Sequence, residues 1–256
     1  MTRAQTPRSP RTASGAPADP RHYRISVKRE PSAGPGLPVG LSSNYLHDKV
    51  CVGDVLIADG PRGEFVLDAA SNRSVVLLSG GVGLTPMVAM LHALADRSTR
   101  RTLFLHACEN GEVHALRAEV DGLIGRRPGL SAHYCYRAPS ANDRIANRFD
   151  SEGFITREVM QSLLCLDDYD FYLCGPPPFM QGLYDQLSDV GVPDARIHAE
   201  AFGPAGLKRD NDVAMPPVSS VPVAVLFSTS GKEARWAPDT GSLLELAEAR
   251  GLNPPY

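Results

Sequence analysis

The chain has few cysteines, and none is placed for a metal. Five thiols, Cys51, Cys108, Cys135, Cys165 and Cys174, are scattered through 256 residues. No two fall at the spacing that zinc or an iron–sulfur cluster requires, so no metal site is expected. Three lie in or at the end of apolar strand-like runs, where a free thiol packs as a small apolar group. A reducing, cytoplasmic compartment is the expectation. No apolar run is long enough to span a bilayer, so no membrane partner is expected. An excess of one charge is missing too: 26 Lys and Arg face 29 Asp and Glu, a net charge of −3. That balance gives nucleic acid no electrostatic foothold. There is no G-x-S-x-G nucleophile turn. His106 and His114 flank a helix start in HACENGEVH but complete no carboxylate–His–metal set, and read as structural. Asp167, Asp168 and Asp170 read as a solvated turn rather than an acid–base pair.

What is present is 43% hydrophobic content and enough length for one large or two medium cores. Residues 1–20 are basic and rich in Pro, Ser and Ala, which predicts a disordered tail. They lack the apolar or amphipathic stripe of a targeting peptide. Residues 21–72 read as all-β: YRISVKRE alternates like a strand, and VGDVLIADGPRGEFVLD looks like two strands around a Gly/Pro turn. A short helix from Ser43 to Asp48 lies between them. Residues 73–204 alternate strands (SVVLLS, TLFLHA, SAHYCY, DFYLC, RIHAEA) with helices. Continuous apolar strands separated by helices predict a parallel sheet covered on both faces. Residues 205–221 read as a Pro/Gly/Asp/Ser linker, and 222–256 as two short strands and a helix.

Two motifs carry chemistry. In SVVLLSGGVGLTPMVAMLHAL a buried strand ends at Ser79, a glycine turn follows, and a helix is expected from Pro86 with Thr85 as its N-cap. Gly80, Gly81 and Gly83 let the backbone approach a bulky anion, and the helix dipole favours a diphosphate. The turn is not G-x-G-x-x-G, because Pro86 stands in the place of the last glycine. A tight strand–helix turn without a ligand is the bland alternative. In FYLCGPPPFM a strand ends at Cys174 and a Gly-Pro turn opens at the carboxyl edge of the sheet, where open α/β folds bind ligands. A thiol there can touch a planar ring without bulk, or simply pack. Coenzyme choice has two opposed signals. Glu109 after the second strand leans to NADH, and Arg137 after the third can hold a 2′-phosphate.

These motifs, with YRISVKRE, NYLHD, VGDV, LHACENGEVHAL, YRAPS, FDSEG and AFGP in the same order, resemble the ferredoxin–NADP⁺ reductase superfamily over Tyr23 to Pro204. The likeness is greatest to the reductase half of flavohaemoglobins and to reductases with a C-terminal ferredoxin domain, including those fused to MOSC domains. It implies an antiparallel FAD-binding barrel, here partial, followed by a five-stranded parallel NAD(P)H-binding domain. Gly81, Val82, Gly83, Leu84, Thr85 and Pro86 would hold the NAD(P)H diphosphate. Cys174, Gly175 and Pro176 would lie near the nicotinamide, and Arg137 near a 2′-phosphate. Ser43 would bind the FAD diphosphate, and Lys28 would lie beside the flavin. Glu200 and Phe202, with Gly203 in the same motif, would approach the isoalloxazine. Cys174 and Glu200 are the expected catalytic residues. The family's R-x-Y-[ST] flavin motif reads Arg11-Thr12-Ala13-Ser14-Gly15 here; Arg11 and Ser14 remain candidates, but the tyrosine is missing. The segment from Val223 to Tyr256 resembles the opening of a plant-type [2Fe–2S] ferredoxin (β-grasp) domain, yet no cysteine follows Cys174 to ligate the cluster. The chain thus reads as a reductase truncated at both ends.

The expected activity is hydride transfer from NAD(P)H to FAD, with electrons passing on to an iron–sulfur centre or another acceptor, such as an oxygenase component. Two other readings stay open: a coenzyme-binding module without flavin, and one half of a split reductase.

Overall fold

The computed structural model describes residues 24–32, 34, 39–57, 63–202, 206–209, 221–238 and 241–252. The expected tail at 1–20, Arg11, Ser14, Gly203 and most of the 205–221 linker lie outside the described residues. The described residues divide into two compact units, within Met1–Arg209 and Asp210–Tyr256.

The first unit begins with helix α1 (Leu41–Asp48). It continues with β1 (Ser74–Gly80), α2 (Leu84–Arg97), β2 (Thr102–Cys108), α3 (Arg117–Ile124), β3 (Leu130–Tyr136) and α4 (Ala141–Ile145). Then come β4 (Ser151–Glu152), α5 (Arg157–Leu163), β5 (Tyr169–Gly175), α6 (Pro177–Asp189) and β6 (Ile197–Ala201). The strands form one sheet in the order β4-β3-β2-β1-β5-β6, and every neighbouring pair is parallel. Six strands stand where five were expected. The addition is β4, whose two residues meet Cys135 and Tyr136 of β3. A strand that short carries no periodicity, so FDSEG gave no strand signal.

The central strand explains the architecture. All seven residues of β1 are buried, because both faces are covered. Val75 and Leu77 pack with Met87, Leu91, Leu94, Val120 and Leu123 of α2 and α3. Val76 and Leu78 pack with Met160 of α5 and Leu183 and Leu187 of α6 on the other face. Local sequence sets the helix starts. The Thr156 hydroxyl accepts the Val159 N–H to cap α5. Pro177 and Pro178 occupy the first turn of α6, where no N–H is needed.

Of the barrel expected over 21–72, residues 21–23, 33, 35–38 and 58–62 lie outside the described residues. Among the described residues from 24 to 73 the only regular elements are α1 and a single bridge at Ser26. Residues 24–30 form only that bridge, and 53–57 and 63–68 form no ladder. A strand exists through its neighbours' hydrogen bonds, and among the described residues no strand of either sheet pairs with these. Val52, Val55 and Ile57 are accordingly exposed. Phe65 and Leu67 instead join the core against the α2 face of the sheet.

The second unit holds an antiparallel pair, β7 (Val223–Phe227) and β8 (Lys232–Trp236), and helix α7 (Leu243–Ala249). Ser242 and Glu245 form a capping box at its start. This matches the two strands and helix read from the sequence. No described helix is long and apolar enough to cross a membrane. No described group of His, Cys, Asp and Glu is arranged to hold a metal ion.

Candidate functional site

The chain leaves β1 toward β2 on one side, while β5 continues to β6 on the other. The carboxyl ends of β1 and β5 therefore flank the point where strand order reverses, the usual ligand crevice of an open α/β sheet. Ser79 and Cys174 are direct partners across those strands.

Beyond Ser79 the backbone turns sharply. Gly81 has φ +52° and faces open space, a conformation that a residue with a Cβ adopts at a cost. It starts a 3₁₀ turn over Gly81–Gly83 that winds directly into α2. The helix thus begins at Leu84, not at Pro86, and Gly83 is its N-cap. Thr85 lies inside the helix and donates its hydroxyl to the Val82 carbonyl at 3.2 Å, so it is not the cap. With no side-chain cap, the N-terminus of α2 remains suited to an anion.

Gly83 has a second function that the sequence did not reveal. A Cβ there would run into the Cys174 carbonyl and sit 2.7 Å from the Gly175 nitrogen. One on Gly175 would lie 2.6 Å from the Phe179 ring and 3.1 Å from the Gly80 nitrogen. The turns after β1 and β5 thus touch backbone to backbone.

Beside this juncture lies a cleft of about 540 Å³. Gly80, Gly81 and Pro176 line it from the two turns, and Phe154, Phe179 and Leu183 give it an apolar wall. Glu109 and Arg137 close it at the far strands. The two opposed coenzyme signals turn out to be one ion pair, with Arg137 donating to both Glu109 carboxylate oxygens at 2.6 and 2.7 Å. Phe154 and Phe179 went unassigned in the sequence, since isolated aromatics, one just after FDSEG and one in PPPFM, have no periodicity to mark them.

Cys174 is fully buried, and Phe202 packs against the same apolar cluster. Glu200 is the register partner of Cys174 on β6. Burial, and then the Glu200 carboxylate, push the Cys174 thiol above its ordinary range. It stays protonated, which excludes a thiolate nucleophile and leaves a small packed group. The structure thus brings Cys174 and Gly175 against Gly83 and Pro176 against Gly80, with Glu200 beside Cys174 on the next strand.

Ser43 and Lys28, also assigned to flavin, lie on and before α1. Ser43 is buried; its hydroxyl accepts the Glu30 N–H at 3.2 Å and donates to the Gly40 carbonyl at 3.1 Å. It ties the preceding loop to α1. Lys28 is ion-paired to Glu30 at 3.1 Å. The site beside β1 and β5 does fit a dinucleotide: it offers an uncapped helix start, glycines at close approach and a cleft.

Residues 77–185 match the family model described as oxidoreductase NAD-binding domain. A flavohemoprotein of Bordetella pertussis (strain Tohama I) is 45% identical over 195 residues, covering 76% of this chain and 48% of the relative. The chain thus spans about half the length of the curated relatives it matches. Among solved structures, it is similar to the flavohem-like FAD/NAD binding domain of nitric oxide dioxygenase from Vibrio cholerae O1 biovar El Tor. That match has 41% identity and a TM-score of 0.60, over 71% of this chain and 72% of the other. An intact type IV self-sufficient cytochrome P450 monooxygenase matches in fold alone, at 20% identity and a TM-score of 0.65, over 94% of this chain and 27% of its own. The chain belongs to the ferredoxin reductase-like family of NAD-binding oxidoreductases, in which the reductase half of flavohaemoglobins also stands.

Proposed function

We propose that the chain is an NAD(P)H-dependent flavin oxidoreductase whose coenzyme lies across the juncture of the turns after β1 and β5. One observation carries this reading: Gly83 abuts the Cys174–Gly175 backbone at the switch point, beside a cleft of about 540 Å³. When bound, the coenzymes supply the redox chemistry, a hydride passing from nicotinamide to flavin. The chain's own work is placement. The 81–86 turn and the α2 N-terminus hold the diphosphate. Phe154, Phe179 and Leu183 receive the adenosine end in the cleft. Cys174 and Glu200 flank the reactive ring, and Phe202 shields it from water. No proton-shuttling side chain is needed.

FAD as hydride acceptor rests on the likeness to the FAD/NAD binding domain. Downstream, a one-electron acceptor such as an iron–sulfur centre or an oxygenase component is proposed from the ferredoxin-like second unit. A cytoplasmic location is proposed with it, since all five cysteines are free thiols. A second reading follows from Ser43 and Lys28, which already have protein partners: a module that binds coenzyme without flavin. Titration calorimetry with NADH and NADPH tests the coenzyme site; heat with either supports it, and none with both removes it. Flavin absorbance after incubation with FAD separates the two readings, a yellow protein supporting the reductase and a colourless one the module.

A further inference from the structure

Behind the proposed coenzyme turn lies a buried polar chain that the activity does not use. Ser79, His106, His114 and Tyr136 sit on the α2–α3 side of the sheet, all buried. The His106 and His114 rings are 4.6 Å apart. Their Nδ1 atoms have partners, Ser79 Oγ at 2.9 Å and the Tyr136 hydroxyl at 2.8 Å. Neither Nε2 has a hydrogen-bond partner among the described residues. An orphaned polar atom in a packed interior costs on the order of 1–3 kcal/mol, and here there are two, on neighbouring rings.

Proton counting fixes both tautomers. A serine has one proton to donate, and Ser79 gives its own to the Leu105 carbonyl at 3.2 Å. Its oxygen must then accept from His106, so His106 carries its proton on Nδ1 and offers a bare Nε2 acceptor. At the other end Arg117 donates to the Tyr136 hydroxyl at 3.1 Å. Among the described residues the phenol proton has only His114 Nδ1 to receive it, so His114 carries its own proton on Nε2. One orphan is thus an acceptor and the other a donor.

We propose that a single buried water bridges His114 Nε2–H to His106 Nε2, completing a hydrogen-bond relay from Arg117 at the start of α3 to Ser79, the residue before the coenzyme turn. A water needs at least two polar partners to reside in a protein interior, and these two are complementary. His106 and His114 are positioning residues: they act on Gly80–Gly83 through Ser79 and touch no coenzyme. The groups around them fit neutral imidazoles. Arg117 lies over the Tyr134 ring, Tyr134 donates to Asp121, and the Cys108 thiol is pushed up to about 12, chiefly by burial. The effect on coenzyme rests on the proposed function; the relay itself does not.

The test is imidazole nitrogen NMR of the full chain at pH 7, without coenzyme. The expected spectrum shows His106 as the Nδ1–H tautomer and His114 as Nε2–H, with the His114 proton exchanging slowly and showing a contact to a long-lived water. The opposite tautomer at either ring, a charged ring, or no bound water overturns the relay. His114→Phe removes the donor, and His114→Gln restores an N–H of similar reach. The relay predicts NADH binding about fivefold weaker in the phenylalanine variant and near wild type in the glutamine variant. Equal losses in both overturn the positioning role. Should the wild-type chain bind no NADH, the coenzyme site falls, while the tautomers and the water still decide the relay.

Discussion

At Gly83 a methyl group is enough to separate two turns. Gly83→Ala is expected to cost about 1–3 kcal/mol as overpacking, because the Cys174 carbonyl is backbone and cannot swing away. Urea unfolding reads that loss. NADH affinity should fall with it even in protein that remains folded. The Glu109–Arg137 pair gives a prediction of different kind. Glu109 holds the Nε–Nη2 edge of the guanidinium, one that a 2′-phosphate could take. Glu109→Gln should shift the NADPH-to-NADH affinity ratio toward NADPH by about tenfold, measured by titration with each coenzyme. The buried histidines set an acid limit. Burial first, then the neighbouring His114, lowers His106 to about 3. Burial first, then Arg117, lowers His114 to about 4. Unfolded histidine takes up its proton near pH 6.5, so both rings favour the folded state fully above that value. Their contribution is lost progressively as pH falls from about 6.5 toward 4 and below. Denaturant midpoints from pH 7.5 to 4.5 should fall, and the fall should be shallower in His114→Gln.

At the scale of elements, the sheet tolerates little and the segment before it tolerates much. Leu77→Ala in β1 should cost about 2–5 kcal/mol, since both faces of that strand are covered. Val55→Ala, at an exposed position, should change stability by less than about 0.5 kcal/mol. Chemical denaturation of the two variants checks the contrast. The same contrast explains what the sequence disclosed. β1, β2, β3, β5 and β6 are apolar runs bounded by turns, and such runs declare themselves. β4 was hidden because two residues have no period. YRISVKRE alternates as a strand should, yet alternation describes one face and says nothing of whether a neighbour is there to pair with. The start of α2 was misplaced by two residues because Pro86 drew attention from the 3₁₀ turn that Gly81 permits. Ser43 belongs to a resembling motif, but what its hydroxyl bonds is a tertiary fact.

At the scale of the molecule, every group proposed to hold the coenzyme falls within the first unit. A chain ending at Arg209 should therefore bind NADH within about twofold of the full chain by calorimetry. A larger drop in affinity would mean that the second unit contributes to the site. The meeting of Gly83 with Cys174 and Gly175 also bears on how such a chain can vary. Most of the interior can exchange one aliphatic shape for another as long as volume is kept. Here the main chain itself is the neighbour, and genetic drift has nowhere to go: a place where two backbones meet is also where the ligand is proposed to lie.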